Sequence, residues 1–455
     1  MTIEPTQQTR KERDAGDPIM NLFRNVFFSC LACGAALLSQ QPLAHAQSFS
    51  TNVTTELPTA RLLSRYGLER AWWSQATLNP KRDKVMHMVI DEENVYVQSS
   101  NGVVTAFNAD SGRQLWAVQM GNRDEPVFPG VSNDRHFLAV NGMTLYCVDR
   151  FSGRMIWELM LPAMPSVGPS VDDEHVYVGT LDGSMYSFEL RKIRELSRNN
   201  RLPSWSFQAI RWRYKTSKEI TSAAYSTGRL VNFASRDGSL YAVSSTERDL
   251  TWQFETNAPI TAPFATTDTS LVLASEDFYV YCLDRNNGLV RWEFASGFPI
   301  RKAPRVIGKD LYILPDRGGL FSLSLANGDQ KWTRPGITNV LAATKSRLLG
   351  TDQTGNIVIL NRADGRPLGS LPLRAFSVRL ENDRTDRLYM ATPSGLLVCL
   401  REQGSEFAFY HRYPERSPIV PDVEPDEPAD PAKSGAPTDA MPDEQKEKPA
   451  AAEAN

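Results

Sequence analysis

The sequence predicts an all-β fold, an eight-bladed β-propeller of four-stranded antiparallel blades, on three observations. A turn position, glycine at seven of its eight occurrences, recurs at 102, 142, 183, 238, 278, 319, 355 and 395, about forty residues apart except for one longer interval after 183. Each turn separates β-branched and aromatic runs, such as residues 94–97 before the first and 145–148 after the second. Asn-Gly and Asp-Gly so flanked are the strongest short hairpin signal. Finally, Trp116, Trp157, Trp252, Trp292 and Trp332 each fall eight residues after Asn108, Asp149, Ser244, Asp284 and Ser324. Four short strands in a period of this length make a propeller blade.

Within a unit, one strand precedes the glycine turn, a second follows it, and an Asx or Gly turn leads to the tryptophan-bearing strand. The middle strands are apolar on both faces, as expected of sheets packed face to face on neighbouring blades. A tryptophan ring at each blade would wedge between blades and bury roughly 150–250 Å². Trp212 in the long third unit and Trp72 near the N-terminus extend the column, and Gly369 takes its place after Asn361. Residues 67–73 imitate the tryptophan strand and are predicted to complete the eighth blade, closing the ring against unpaired edges. Residues 407–410 are the competing candidate for that slot. Cys147, Cys282 and Cys399 share one repeat position with Ala106, Ser187, Ala242 and Ser322. They read as small packed residues in units too far apart around the ring to bridge.

The remaining segments set the boundaries. Residues 1–46 read as a secretory signal peptide. Arg24 precedes an apolar run over 26–38, and Ala44-His45-Ala46 offers a cleavage site before Gln47. Met20 makes a more ordinary start for such a signal. The apolar run is too short to span a bilayer, and neither Cys30 nor Cys33 has the leucine three residues upstream that marks a lipoprotein. Residues 47–65 form a lead, 66–412 the propeller, and 413–455 a Pro-, Ala- and acid-rich tail expected to be disordered. The net charge of −3 hides an asymmetry, because the tail from Pro421 onward carries ten acids against three lysines. The body is only mildly basic, and no nucleic-acid partner is expected. The third unit holds a basic insert, residues 190–211, whose first half could form a short helix. Arg191, Arg194, Arg198 and Trp205 make it a candidate partner-binding element, with a solvated rim loop as the competing reading.

Chemical motifs are few. The chain lacks H-E-x-x-H, G-x-S-x-G, P-loop and haem-attachment patterns, and no catalytic or metal residue is assigned. His136 and His175 fall at the polar turn entering the second strand of their units, as do charged residues in other units. If a small ligand binds, the expected place is the channel mouth, at Arg301, Lys302 and Asn339.

Runs such as Tyr281-Cys282-Leu283-Asp284 through Gly288 to Trp292 resemble the PQQ-like (pyrroloquinoline-quinone) repeat of quinoprotein alcohol dehydrogenases. The repeat is also similar to that of the propeller subunit of the outer-membrane β-barrel assembly machine. The resemblance covers about residues 66–405 and implies the fold. For function it leaves alternatives open, since sites are grafted onto folds. One is a dehydrogenase holding PQQ with Ca²⁺, although the chain lacks the adjacent-cysteine pair that many such enzymes use. Another is a small-ligand or glycan binder. The favoured expectation is an exported, monomeric, non-catalytic scaffold without a cofactor, docking an envelope protein in the periplasm, with no membrane span in the mature chain.

Overall fold

In the computed structural model, residues 57–202, 206–412 and 414 are described. They form eight four-stranded antiparallel sheets. Seven are consecutive in sequence: blade 1 over 85–119, blade 2 over 131–160, blade 3 over 170–215, blade 4 over 225–255, blade 5 over 265–295, blade 6 over 305–334 and blade 7 over 337–371. Blade 8 takes three strands from 378–402 and its fourth from Leu68–Gln75, which pairs antiparallel with Leu396–Glu402. The N-terminal strand therefore closes the ring, as residues 67–73 predicted. The competing segment runs elsewhere, with Tyr410 bridged to Thr385 in the loop between the first and second strands of blade 8.

The first strands of adjacent blades touch one another, at blades 1 and 8, 2 and 3, and 5 and 6, so they line the central channel. Turn chemistry joins first to second strands. Asp91 Oδ1 accepts the amides of Glu93 and Asn94, and Asn133 and Asp172 do the same at His136 and His175. Side-chain capture of successive N–H groups is what Asn and Asp supply at turns.

The inter-blade core follows one rule. Each of the seven column tryptophans faces a small residue across the ladder: Trp116 opposite Ala106, Trp157 opposite Cys147, Trp212 opposite Ser187, Trp252 opposite Ala242, Trp292 opposite Cys282, Trp332 opposite Ser322 and Trp72 opposite Cys399. A β-bulge beside every one of these pairs skips one residue, a device that re-aims the side chain it adjoins. The ring then lies on the turn glycine of the next blade. A Cβ on Gly365 would stand 2.5 Å from Trp332, and Gly112, Gly153, Gly288 and Gly328 receive Trp72, Trp116, Trp252 and Trp292 in the same way. Five indoles also donate to the following blade: Trp72 to the Ala109 carbonyl, Trp116 to Arg150, Trp212 to Ser245, Trp292 to Leu325 and Trp332 to Arg362, at 2.7–3.0 Å. Three blades depart from the full pattern. Trp252 sits on Gly288 with its indole N–H unpartnered, the blade after Trp212 carries Arg248 at φ +66° in place of the turn glycine, and Trp157 packs into the apolar cluster under the blade 3 insert.

Blade 7 inverts the pair, placing Ile359 opposite Gly369. The N-terminal lead fills the gap. A Cβ on Gly369 would meet the Tyr66 ring at 2.2 Å. Helix α1 (Ala60–Ser64), capped by the Thr59 hydroxyl, buries Leu63 against Leu341, Leu349 and Leu388. Arg347 donates to the Tyr66 carbonyl and pairs with Glu402. The lead is thus an inter-blade wedge supplied from outside the repeat.

Candidate docking faces and the channel

Alternating strand direction sorts the loops onto two faces. The upper face carries the first-to-second and third-to-fourth strand connections. The lower face carries the second-to-third and the blade-to-blade connections.

On the upper face, the insert forms helix α2 (Leu190–Arg198) and a short 3₁₀ turn, Ser206–Ala209. Leu190, Ile193 and Leu196 are buried with Leu202 and Ala209 in one cluster with Trp157 and Leu159. The helix is therefore anchored over the junction of blades 2 and 3. Arg191, Lys192, Arg194, Glu195 and Arg198 lie on its other side. Arg191 pairs with Glu189 at 3.0 Å and Lys192 with Glu195 at 3.0 Å. Trp205 lies outside the described residues, as do the signal segment and the tail beyond 414.

Residues 405–412 cross the channel mouth on this same face. Phe409 N–H donates to Asp386 and His411 N–H to the Arg384 carbonyl. Lys345 stands over the Phe409 ring. The Tyr410 hydroxyl reaches the Glu92 carbonyl in blade 1, and Arg412 pairs at 3.3 Å with Asp268 in blade 5, on the far side of the ring. Beside this strap lies a cavity of about 430 Å³, bordered by Thr266, Asp268, Asp383, Arg384 and His411. Within the channel, Arg305 of blade 6 pairs with Glu381 of blade 8.

The three expected channel-mouth residues lie on the lower face, each with internal partners. Arg301 grips Glu276 with two hydrogen bonds of 3.1 Å and also pairs with Asp316. Lys302 donates to Asn339 Oδ1 at 2.8 Å and to the Thr338 carbonyl. The Arg301 guanidinium holds Glu276 below the usual carboxylate range. These pairs link blades 5, 6 and 7 around the lower mouth, and Arg236 pairs with Glu219 of the connection entering blade 4. The Arg301 charge is matched by carboxylates, whereas Lys302 meets neutral oxygens.

Sequence reading missed a feature of this face. Met143 (41% exposed), Met160 (60%), Met164 (37%) and Leu181 (57%) stand on consecutive lower loops of blades 2 and 3. Backbone hydrogen bonds from Leu161 to Met143 and from Leu181 to Met164 hold these loops side by side. The signal was present as an apolar residue before the turn, Leu181 ahead of Asp182, where blades 4 and 5 place Arg236 and Glu276. It was hidden by the regularity of the repeat.

Polar junctions recur between blades. Asp91 accepts from Tyr96, Ser132 and Arg150, Asp172 from Tyr177 and Ser226, and Asp310 pairs with Arg362. Burial opposes ionisation of Asp91, but the Glu93 amide and the Arg150 guanidinium outweigh it and hold the carboxyl below its usual value. Burial likewise opposes Asp172, and the Ser226 hydroxyl and neighbouring amides lower it. Cys147, Cys282 and Cys399 are free and buried, and burial pushes the Cys147 and Cys399 thiols up to about 12.

Among the described residues, no group of three or more His, Cys, Asp or Glu side chains converges as a metal-ligand set, and no helix is long and apolar enough to cross a membrane. The channel's lower-mouth carboxylates, Glu276 and Asp316, are held by Arg301, and Glu381 is held by Arg305.

A closed ring of eight blades, five of them docked on the next through a tryptophan on a turn glycine, defines a PQQ-like repeat propeller. The model of the family described as outer membrane protein assembly factor BamB matches residues 70–132, 100–210 and 236–412, and the chain belongs to that family. It is similar in structure to BamB from Moraxella catarrhalis, with a TM-score of 0.58 at 15% identity over 74% of this chain and 98% of that one. It is also similar to the computationally designed Ika8 protein, with a TM-score of 0.54 at 12% identity over 70% of this chain and 96% of that one. Among curated proteins none matches.

Proposed function

We propose that this chain is an exported, non-catalytic scaffold that docks a partner protein during outer-membrane protein assembly, working in the periplasm after cleavage near Ala46. The observation that carries the reading, beyond family membership, is the group of exposed apolar side chains Met143, Met160, Met164 and Leu181 on adjacent lower loops of a rigid disc. Grouped exposed apolar residues mark interaction surfaces. Unbranched methionines adapt to a partner's relief at little cost. The closed ring keeps these loops in fixed relation, so a partner meets a preorganised surface.

The test is crosslinking in the cell envelope with the full chain and with a Met160→Glu/Leu181→Glu variant of unchanged circular dichroism. The wild type should capture an outer-membrane assembly component, and the variant should lose at least tenfold of it. Capture that ignores the substitutions would remove this surface from the reading. Titration with pyrroloquinoline quinone and Ca²⁺, followed by absorbance and tryptophan fluorescence, separates the dehydrogenase reading. The scaffold gives no saturable change, and tight stoichiometric binding would overturn it.

A further inference from the structure

We propose that the acidic C-terminal segment, residues 421–455, docks on the basic outer side of α2 in the same molecule and covers it. The receiving surface is rigid, because Leu190, Ile193 and Leu196 anchor the helix in the core between blades 2 and 3. Arg191, Arg194 and Arg198 recur at helical spacing on the opposite side, around a shallow depression of about 350 Å³ that Glu195 and Asn199 complete. Arg191 and Lys192 have partners, whereas Arg194 and Arg198 make no hydrogen bond or ion pair within the described residues. Residues 190–211 hold six basic residues and one acid. This is an anchored positive surface with charge left unmatched.

Place and length select the occupant. The chain leaves blade 8 at the end of its third strand, and α2 follows the third strand of blade 3, so both emerge on the upper face. The strap over the channel mouth ends with Arg412 on Asp268. The acidic segment begins nine residues later and carries ten acids against three lysines. Nine extended residues reach about 30 Å, and about 15 Å separates the first strand of a blade from the fourth. The segment can therefore lie across α2 while still tethered. A tether of this length gives the contact a high effective concentration, so each exposed pair can be weak and the cover still form. An anionic partner of α2 would have to displace it.

The test is fluorescence energy transfer in the full chain. Dyes are placed on Asn199→Cys and Ala450→Cys, in a Cys30→Ser/Cys33→Ser background, and the three propeller cysteines are buried. A second pair uses Ala363→Cys, an exposed turn of blade 7 on the same face opposite α2, with Ala450→Cys. Transfer should be high for the 199/450 pair and low for the 363/450 pair. The 199/450 signal should fall to the level of the 363/450 pair in about 0.5 M salt, where the Debye length is only about 4 Å, and in an Arg194→Glu/Arg198→Glu variant. It should not change on dilution. Equal transfer for the two pairs, or a 199/450 signal indifferent to salt and charge reversal, overturns the proposal. Loss on dilution also overturns it, by assigning the contact to a second copy.

Discussion

Replacing Gly365 by alanine isolates what the tryptophan–glycine junction contributes. Gly365 sits at φ +70°, and an added Cβ would stand 2.5 Å from Trp332 Cε3 and 2.7 Å from its Cδ2. Two costs combine. A left-handed alanine costs about 1–2 kcal/mol whatever surrounds it. Expelling Trp332, which is 7% exposed and bonded to the Arg362 carbonyl, approaches the cost of deleting a buried tryptophan, about 3–5 kcal/mol. Gly228 is the control. It has φ +83° and nothing within 4 Å of an added Cβ, so Gly228→Ala carries the backbone cost alone. In urea denaturation, Gly365→Ala should lose about 3–5 kcal/mol more than Gly228→Ala, with an unchanged slope. In a Trp332→Ala background the excess should vanish, because residues in contact do not add. Equal losses for the two glycines, or simple additivity with Trp332→Ala, would refute the account of blade docking.

Other perturbations test separate parts of the structure. Asp91 and Asp172 are held below the ordinary aspartate value of 3.8, so their contribution is present above that pH and lost as pH falls through the lower folded values. Urea midpoints should fall below about pH 4, and Asp91→Asn should flatten part of that slope while lowering stability at pH 7; an unchanged slope would count against the inter-blade carboxylates. Cys147 and Cys399, with thiols near 12 and no exposure, should resist a thiol reagent at pH 8 in the folded chain and react fully in denaturant. Rapid native labelling would show the repeat strands open. Tyr66→Ala should uncover Gly369 and destabilise the ring by about 3–5 kcal/mol, read by thermal melting; a negligible shift would mean the lead does not wedge blades 7 and 8.

How much was legible follows from the range of each interaction. Blade number, strand order within a blade, the turn glycines and the tryptophan column are written in local periodicity, because a blade repeats one hairpin chemistry about every forty residues. The pairing of small residues with tryptophans was half visible. The cysteine column announced a need for small side chains, but only the ladder register shows that the partner is the same blade's tryptophan. The inverted Ile359–Gly369 pair carries no local sign of Tyr66, which arrives from almost three hundred residues away.

The candidate sites were less legible, for the same reason. Arg301, Lys302 and Asn339 were expected at one channel mouth; Lys302 bonds Asn339, while the partners of Arg301, Glu276 and Asp316, sit in the turns of other strands, and charge matching between loops has no sequence period. The insert was read as basic from composition, while Leu190, Ile193 and Leu196 turning inward, and so fixing which arginines face out, required the packed junction. The sequence by itself determined a closed ring of eight repeating sheets, since hydrophobic period and turn chemistry act within one unit. Only the tertiary structure decided between the two candidate closing segments in favour of the N-terminal strand, and showed that residues 405–412 cross the upper mouth and that four apolar loop residues meet on the lower face. Those outcomes depend on contacts between distant segments, whose energies no local pattern encodes.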